Sequence, residues 1–226
     1  MAQIGVLTTG AGVTTSLNAL SQCPSMIMLG TVATANPLTG LVVEIGGISF
    51  FNITGQAAIL SAIAKFMTKW VSTLQGVVFP VATGLIKKTT NIRLTNGGAT
   101  VPIIYGFSDM PSGAPVLAGT TTVNASSYED FEKFSALFIG TPANVGSAEI
   151  SYANGHKETV SGVELDAIFA MKHDTEAAGQ LLGVTVIDNT DQAISSIRLN
   201  IITAATTIAI MKLPDEAFKQ IQQMAA

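Results

Sequence analysis

Charge is what this sequence has least of. Asp, Glu, Lys and Arg make up 12% of its 226 residues, about half the usual share for a globular chain, and none occurs before Glu44. Hydrophobic residues reach 48% and mean hydropathy is +0.47. That balance excludes intrinsic disorder, which needs low hydrophobicity and high charge. Long uninterrupted apolar runs are missing as well. The longest candidate span, residues 57–79, is broken by Lys65 and Lys69 and by Ser72, Thr73 and Gln75. A lysine at mid-bilayer costs about 2.5–3.5 kcal/mol on the mildest scale, so the segment does not read as a transmembrane helix. The N-terminus lacks a basic region ahead of an apolar stretch and does not read as a signal peptide. With Cys23 alone, an internal disulfide and a zinc framework are both excluded, and a small buried hydrophobe is the expected role. Aromatic residues are scarce at 6%, with one Trp and three Tyr.

The charges present are unevenly placed. Fifteen acids against eleven bases give a net −4 and a pI near 5.1. There is no clustered basic footprint for a nucleic-acid binder, so no specific nucleic-acid partner is expected. Residues 1–108 carry five bases against Glu44, a net +4, and residues 109–226 carry a net −8.

What is there reads as strands. Residues 1–22 are rich in Gly, Thr and small apolar residues without a period and are expected to form an N-terminal arm. SMIMLGTVAT, GLVVEI and ISFFNI follow, the last two joined by Gly46-Gly47, a hairpin signal. Ile59, Ile63, Phe66 and Trp70 fall at helical spacing behind Thr54, the predicted N-cap. VVFPVAT, NIRLTN and ATVPIIYGF complete a first unit, 23–110. Residues 111–127 form a Pro/Gly/Ser/Thr cluster expected to be a linker. In 128–214 the plan recurs: FSALFIGT, a hairpin around Asn154-Gly155, a helix capped by Ser161, then LLGVTVI, AISSIRLNI and TTIAIMK. Residues 215–226 read as a short amphipathic helix with Asp215 and Glu216 at its N-terminus, where the helix dipole favours acids.

The recurrence extends to residue identity. Shifting 43–103 by 105 positions without a gap gives thirteen identities in sixty-one positions, against about five expected from composition. Among them are Glu44/Glu149, Thr54/Thr159, Ile63/Ile168 and the run Ile92-Arg93-Leu94 against Ile197-Arg198-Leu199. The predicted fold is mainly β: two tandem jelly-roll β-sandwiches, each with one helix between strands, plus the C-terminal helix. One helix per unit is too few for a doubly wound α/β sheet, and the Cys…Trp…Cys spacing of immunoglobulin domains is missing.

Site chemistry is sparse. His156 and His173 stand beside no nucleophile in a family pattern, and Gly10-Ala11-Gly12 lacks the third glycine and the acidic residue of a dinucleotide loop. No catalytic residue, cofactor or enzymatic activity is expected. Asp188 and Asp191 in the run Asp-Asn-Thr-Asp are calcium candidates, set against an Asx turn between strands. Lys65, Lys69, Lys87 and Lys88 are candidates for contact with anionic headgroups, set against solvated surface.

The blocks VVEIGGISFFNITGQAAILSAIAKF with NIRLTN, and AEISYANGHKETVSGVELDAIFAMKH with SIRLNI, carry a family likeness over about residues 23–214. In their strand-turn-strand-helix order and late strand pair the chain resembles the double jelly-roll major capsid proteins of icosahedral lipid-containing viruses, of the corticovirus type. It departs from them by leaving no room for long surface loops. The resemblance implies a homotrimer of pseudo-hexagonal outline that tiles a shell, with an internal membrane beneath the arm and C-terminal helix. It further implies neighbouring capsomers, minor capsid or vertex proteins and viral membrane lipid as partners, and a place in the virion after synthesis in the host cytoplasm. A virion spike or a secreted two-sandwich carbohydrate-binding protein is the alternative, and the thin supply of aromatics weighs against it.

Overall fold

The computed structural model describes residues 2–8, 10–18, 25–30, 36–71, 76–81, 90–98, 102–172, 180–181 and 183–224. Two compact units divide the chain, Met1–Gly119 with Leu213–Ala226, and Thr120–Lys212.

In the first unit the order is β1 (Ala2–Val6), β2 (Thr14–Asn18), β3 (Met26–Gly30), β4 (Leu38–Ile45), β5 (Ile48–Thr54), α1 (Ala57–Val71), β6 (Val77–Phe79), β7 (Thr90–Asn96) and β8 (Ile103–Phe107). These pair as two antiparallel sheets, β1-β8-β3-β6 and β2-β7-β4-β5. The β4–β5 hairpin turns at Gly46 and Gly47, whose φ values of 59° and 84° suit the left-handed geometry such turns require. Along β4, Leu38, Leu41, Val43 and Ile45 are buried, and Val42 and Glu44 lie on the other face. On α1, Ile59, Leu60, Ala62, Ile63, Phe66, Met67 and Val71 are buried, the one-sided stripe of an amphipathic helix. Trp70 is half-buried, with its ring 5.2 Å from Phe66.

The second unit repeats the plan. It follows β9 (Val116–Val123), which starts in the first unit, with β10 (Ser127–Glu132), β11 (Ala136–Ile139), β12 (Val145–Tyr152), β13 (Lys157–Ser161), α2 (Gly162–Lys172), β14 (Gln180–Leu181), β15 (Val184–Asp188), β16 (Ile194–Ile201) and β17 (Thr206–Lys212). Its sheets are β10-β16-β12-β13 and β14-β15-β11-β17-β9. Replacing β1 to β5 by β9 to β13, and β6, β7, β8 by β15, β16, β17, reproduces both strand orders of the first unit, with β14 added at one edge. Among the described residues each unit therefore shares one eight-strand jelly-roll plan, with a helix at the same place in the chain. Phe131, Phe134, Leu137, Ile150, Leu165, Phe169, Ile197 and Leu199 fill the second core; fully burying each such side chain stabilises by about 1.5–3 kcal/mol before chain entropy is subtracted. α3 (Pro214–Met224) belongs to the first unit, burying Ala217 and Ile221.

Several expectations need correction. Residues 1–22, read as an arm, contain β1 and β2, which pair with β8 and β7. Their lack of periodicity reflects edge positions, where only part of each strand faces the core. The supposed linker 111–127 contains β9, with Val116 to Ala118 buried. Thr54 does not cap α1: it closes β5 and donates to Asn52 Oδ1, and Gly55 (φ 72°) and Gln56 intervene before the helix. Ser161 does cap α2, since Glu164 N–H donates to its Oγ while its own N–H donates to Glu164 Oε2 at 2.7 Å, a reciprocal capping box.

Those two intervening residues also correct the repeat. The bulge at Leu38/Gly40 on β4 matches that at Val145/Ser147 on β12, an offset of 107. The helix starts and the Ile-Arg-Leu strands keep 105. In the hairpins the structural equivalents are thus Thr54 and Ser161, and the gapless pairs Glu44/Glu149 and Thr54/Thr159 are two positions out of register.

Candidate functional surface

The outer face of β2-β7-β4-β5 carries Ser, Thr and Asn around one arginine. Arg93 lies between Ser16 and Val42 in the strand register and donates to Glu44 Oε1 at 2.6 Å, with Asn91 Nδ2 donating to the other oxygen at 3.1 Å. On β10-β16-β12-β13, Arg198 lies between Asp130 and Glu149. It donates through Nε and Nη2 to both Asp130 oxygens at 2.8 and 3.0 Å, the fork geometry that guanidinium favours, and its Nη1 is 4.0 Å from Glu149. Hydrogen bonding from Arg198 holds the Asp130 carboxyl below its ordinary value, and Asp130 in turn raises Arg198.

The edges of these sheets differ in charge. β10 is an edge strand with Glu129, Asp130 and Glu132 along it. Charge on an edge deters pairing with another chain. Its equivalent, β2, reads TTSLN, and β1 on the same side of the unit reads AQIGV. Neither carries a charge, and Ser16 stands where β10 has Asp130. Uncharged edges with unpaired N–H and C=O groups are templates for association.

The two ends of each roll differ too. Among the described residues, the strand-connecting segments at one end (7–8, 10–13, 36–37, 97–98, 102, 124–126, 140–144 and 202–205) contain no charged residue. Beside them lie the exposed apolar side chains Val6, Val13 and Ile103 in the first unit, and Val163 and Ile202, 82% and 52% exposed, in the second. Loops at the opposite ends carry Asp109, Lys133, His156 and Asp191.

Buried asparagines close the loops. Asn96 is fully buried; its Nδ2 donates to Thr8 O at 2.9 Å, and its Oδ1 accepts from Gly98 N. Asn189 donates to Phe134 O and Ile194 O at 3.0 and 2.9 Å and accepts from Ile194 N at 2.8 Å. This is the Asp-Asn-Thr-Asp run of the calcium reading. Asp188 Oδ1 accepts from Thr190 N and Oγ1, and Asp191 Oδ1 accepts from Ala193 N, both Asx geometry. Among the described residues no group of three His, Cys, Asp or Glu is placed to hold a metal ion. Sequence reading missed Asn189 because a polar residue between two aspartates looks like a ligand donor; its burial comes from strands far apart in the chain.

Lys65 and Lys69 lie exposed one turn apart on α1, the Lys69 ammonium 4.7 Å from the Phe66 ring centroid. Lys87, Lys88, Cys23 and His173 fall outside the described residues. His156 stacks on Tyr152 at 5.7 Å, and the Tyr152 hydroxyl donates to Glu158. Burial, together with that acceptor, pushes Tyr152 up to about 12. No described helix is long and apolar enough to cross a membrane.

The chain has the double jelly-roll fold of viral major capsid proteins. It is similar to the major capsid protein P2 of bacteriophage PM2, with a TM-score of 0.50 and 14% identity over 92% of this chain and 93% of that one. A looser likeness, TM-score 0.38 and 12% identity over 93% and 92% of the two chains, is to VP54 of PBCV-1, as fitted into a reconstruction of the virophage Sputnik. No protein-family model and no curated protein sequence matches the chain.

Proposed function

We propose that the chain is a structural coat subunit without enzymatic activity, which assembles as a homotrimer of pseudo-hexagonal outline and tiles an icosahedral virion shell. What supports this reading is one observation above the rest: two jelly rolls with the same strand order stand in tandem in one chain, so three copies supply six equivalent building blocks. The likeness to the PM2 capsid protein spans nearly all of both chains. The uncharged edges β1 and β2 are surfaces suited to a second copy, and charge-depleted contacts are typical of interface cores. Short uncharged end loops fit a plain tile rather than a receptor-binding tower. Neighbouring capsomers are then the principal partners, with minor capsid or vertex proteins at special positions. Under an internal-membrane arrangement, Lys65 and Lys69, with Lys87 and Lys88, are the residues to meet anionic headgroups.

Native mass measurement and electron microscopy of the purified chain test the proposal. Trimers or larger assemblies with a pseudo-hexagonal outline are expected. A protein that stays monomeric at high concentration overturns it.

A further inference from the structure

The hairpin joining β12 to β13 ends in Asn154-Gly155, and we infer that Asn154 is a site of spontaneous backbone-directed modification, converting to aspartate and isoaspartate in the folded protein. The reaction needs the Gly155 nitrogen to attack the Asn154 side-chain carbon Cγ. A new N–Cγ bond forms, the Cγ–Nδ2 bond breaks, and ammonia leaves with the proton of the attacking nitrogen. Water then opens the five-membered imide at either carbonyl. No oxidant, metal or second protein is required.

Three local features favour it. Both residues are exposed. Gly155 sits at φ 87°, and a Cβ built there meets nothing within 4 Å, so the residue following Asn154 has no side chain of its own and open space on its Cβ side. His156 N–H donates to Asn154 Oδ1 at 3.0 Å, where negative charge builds as the nitrogen adds, so the developing oxyanion already has a donor. Opposing it, Gly155 N–H donates to Tyr152 O at 3.0 Å and Tyr152 N–H to His156 O at 2.8 Å. The turn must open before attack, and hairpin tips open at a small fraction of the global unfolding free energy.

The chain holds its own control, a second Asn-Gly at Asn96-Gly97. Asn96 is fully buried with both side-chain polar atoms bonded, and Gly97 N–H donates to Pro37 O at 2.8 Å. Reaction there requires the end of the first roll to come apart. Modification at Asn154 adds a carboxylate at the exposed hairpin tip. In the isoaspartyl form it also inserts a methylene into the turn that sets the β12–β13 register. The inference is independent of the coat-protein reading.

The test incubates the full chain in warm, mildly alkaline buffer. Peptide mapping follows each Asn-Gly, and enzymatic methyl labelling reports isoaspartate. Conversion at Asn154 should run at least about tenfold faster than at Asn96, reflecting the difference in local opening. Denaturant should bring the two rates together, and Asn154→Gln should remove the fast site. Equal rates at the two sites in the folded protein, or no conversion at Asn154 while the denatured chain reacts, overturns the inference.

Discussion

Arg93 on β7 is bonded to Glu44 on β4 at 2.6 Å although the strand register sets Val42, not Glu44, directly opposite it. Its counterpart Arg198 takes the carboxylate beside it, Asp130. The same arginine slot is satisfied by different partners because its flanking residues differ: Ser16 and Val42 stand beside Arg93 where Asp130 and Glu149 stand beside Arg198. Arg93 has no lateral acid, since Ser16 and Val42 flank it, and so reaches along the sheet.

Both arginine side chains are nearly half exposed, 42% and 48%, and exposed ion pairs contribute about 0.2–1 kcal/mol. Arg93→Met and Arg198→Met should therefore each leave the urea unfolding midpoint nearly unchanged. Urea unfolding would reveal a larger loss if either arginine were structural.

Asn189→Ala is expected to do far more. It strands Phe134 O, Ile194 O and Ile194 N–H in a buried site, for a cost of about 2–4 kcal/mol. Asp191→Asn, in the same loop but exposed, should change stability by less than about 0.5 kcal/mol. Equal effects in denaturant titrations would refute the clamp role of Asn189.

Acid should weaken the second unit through two carboxylates. Asp130 is held below its ordinary 3.8 by Arg198, and Glu164 below 4.5 by the Ser161 N–H and hydroxyl. Each contributes stability that is present above those ordinary values and lost as pH falls through the lowered folded ones. Thermal unfolding followed from neutral pH to below pH 4 should show that loss, and Glu164→Gln with Asp130→Asn should reduce it.

Tyr152 gives the opposite sign. Its pKa is raised from 10.0 to about 12, so its contribution is present below pH 10 and disappears as pH rises through 12. Ultraviolet titration of the folded chain should contain a late phenolate component. Tyr152→Phe should abolish that component; its persistence in the variant would assign it elsewhere.

Guarding the open edge tests its part in association. Ser16→Asp copies the second unit, placing a carboxylate beside Arg93 as Asp130 stands beside Arg198, and Thr14→Asp adds a second charge. The double variant should fold, by circular dichroism, yet associate more weakly by sedimentation than the parent. Unchanged association would place the contact on another surface.

Much was legible in the chain itself. Gly-Gly and Asn-Gly turns between β-prone runs, Ser161 three residues ahead of Glu164, and the Ile-Arg-Leu repeat are local signals, and local chemistry fixes them: left-handed turns, cap hydrogen bonds, strand periodicity. They suffice for two rolls with one helix each. The edge strands β1 and β2 were not legible, because a strand paired on one side and half exposed on the other has no clean alternation to read. Nor was the two-residue offset of the hairpin, which a gapless comparison conceals by matching Glu44 to Glu149.

The strand and turn signals and the internal repeat thus determined the fold class, since strand and turn preferences act over a few residues. Which carboxylate meets Arg93, which asparagine is buried and which edges are left bare were decided only when strands distant in sequence were brought side by side. Register, burial and pairing depend on neighbours that the linear order does not supply.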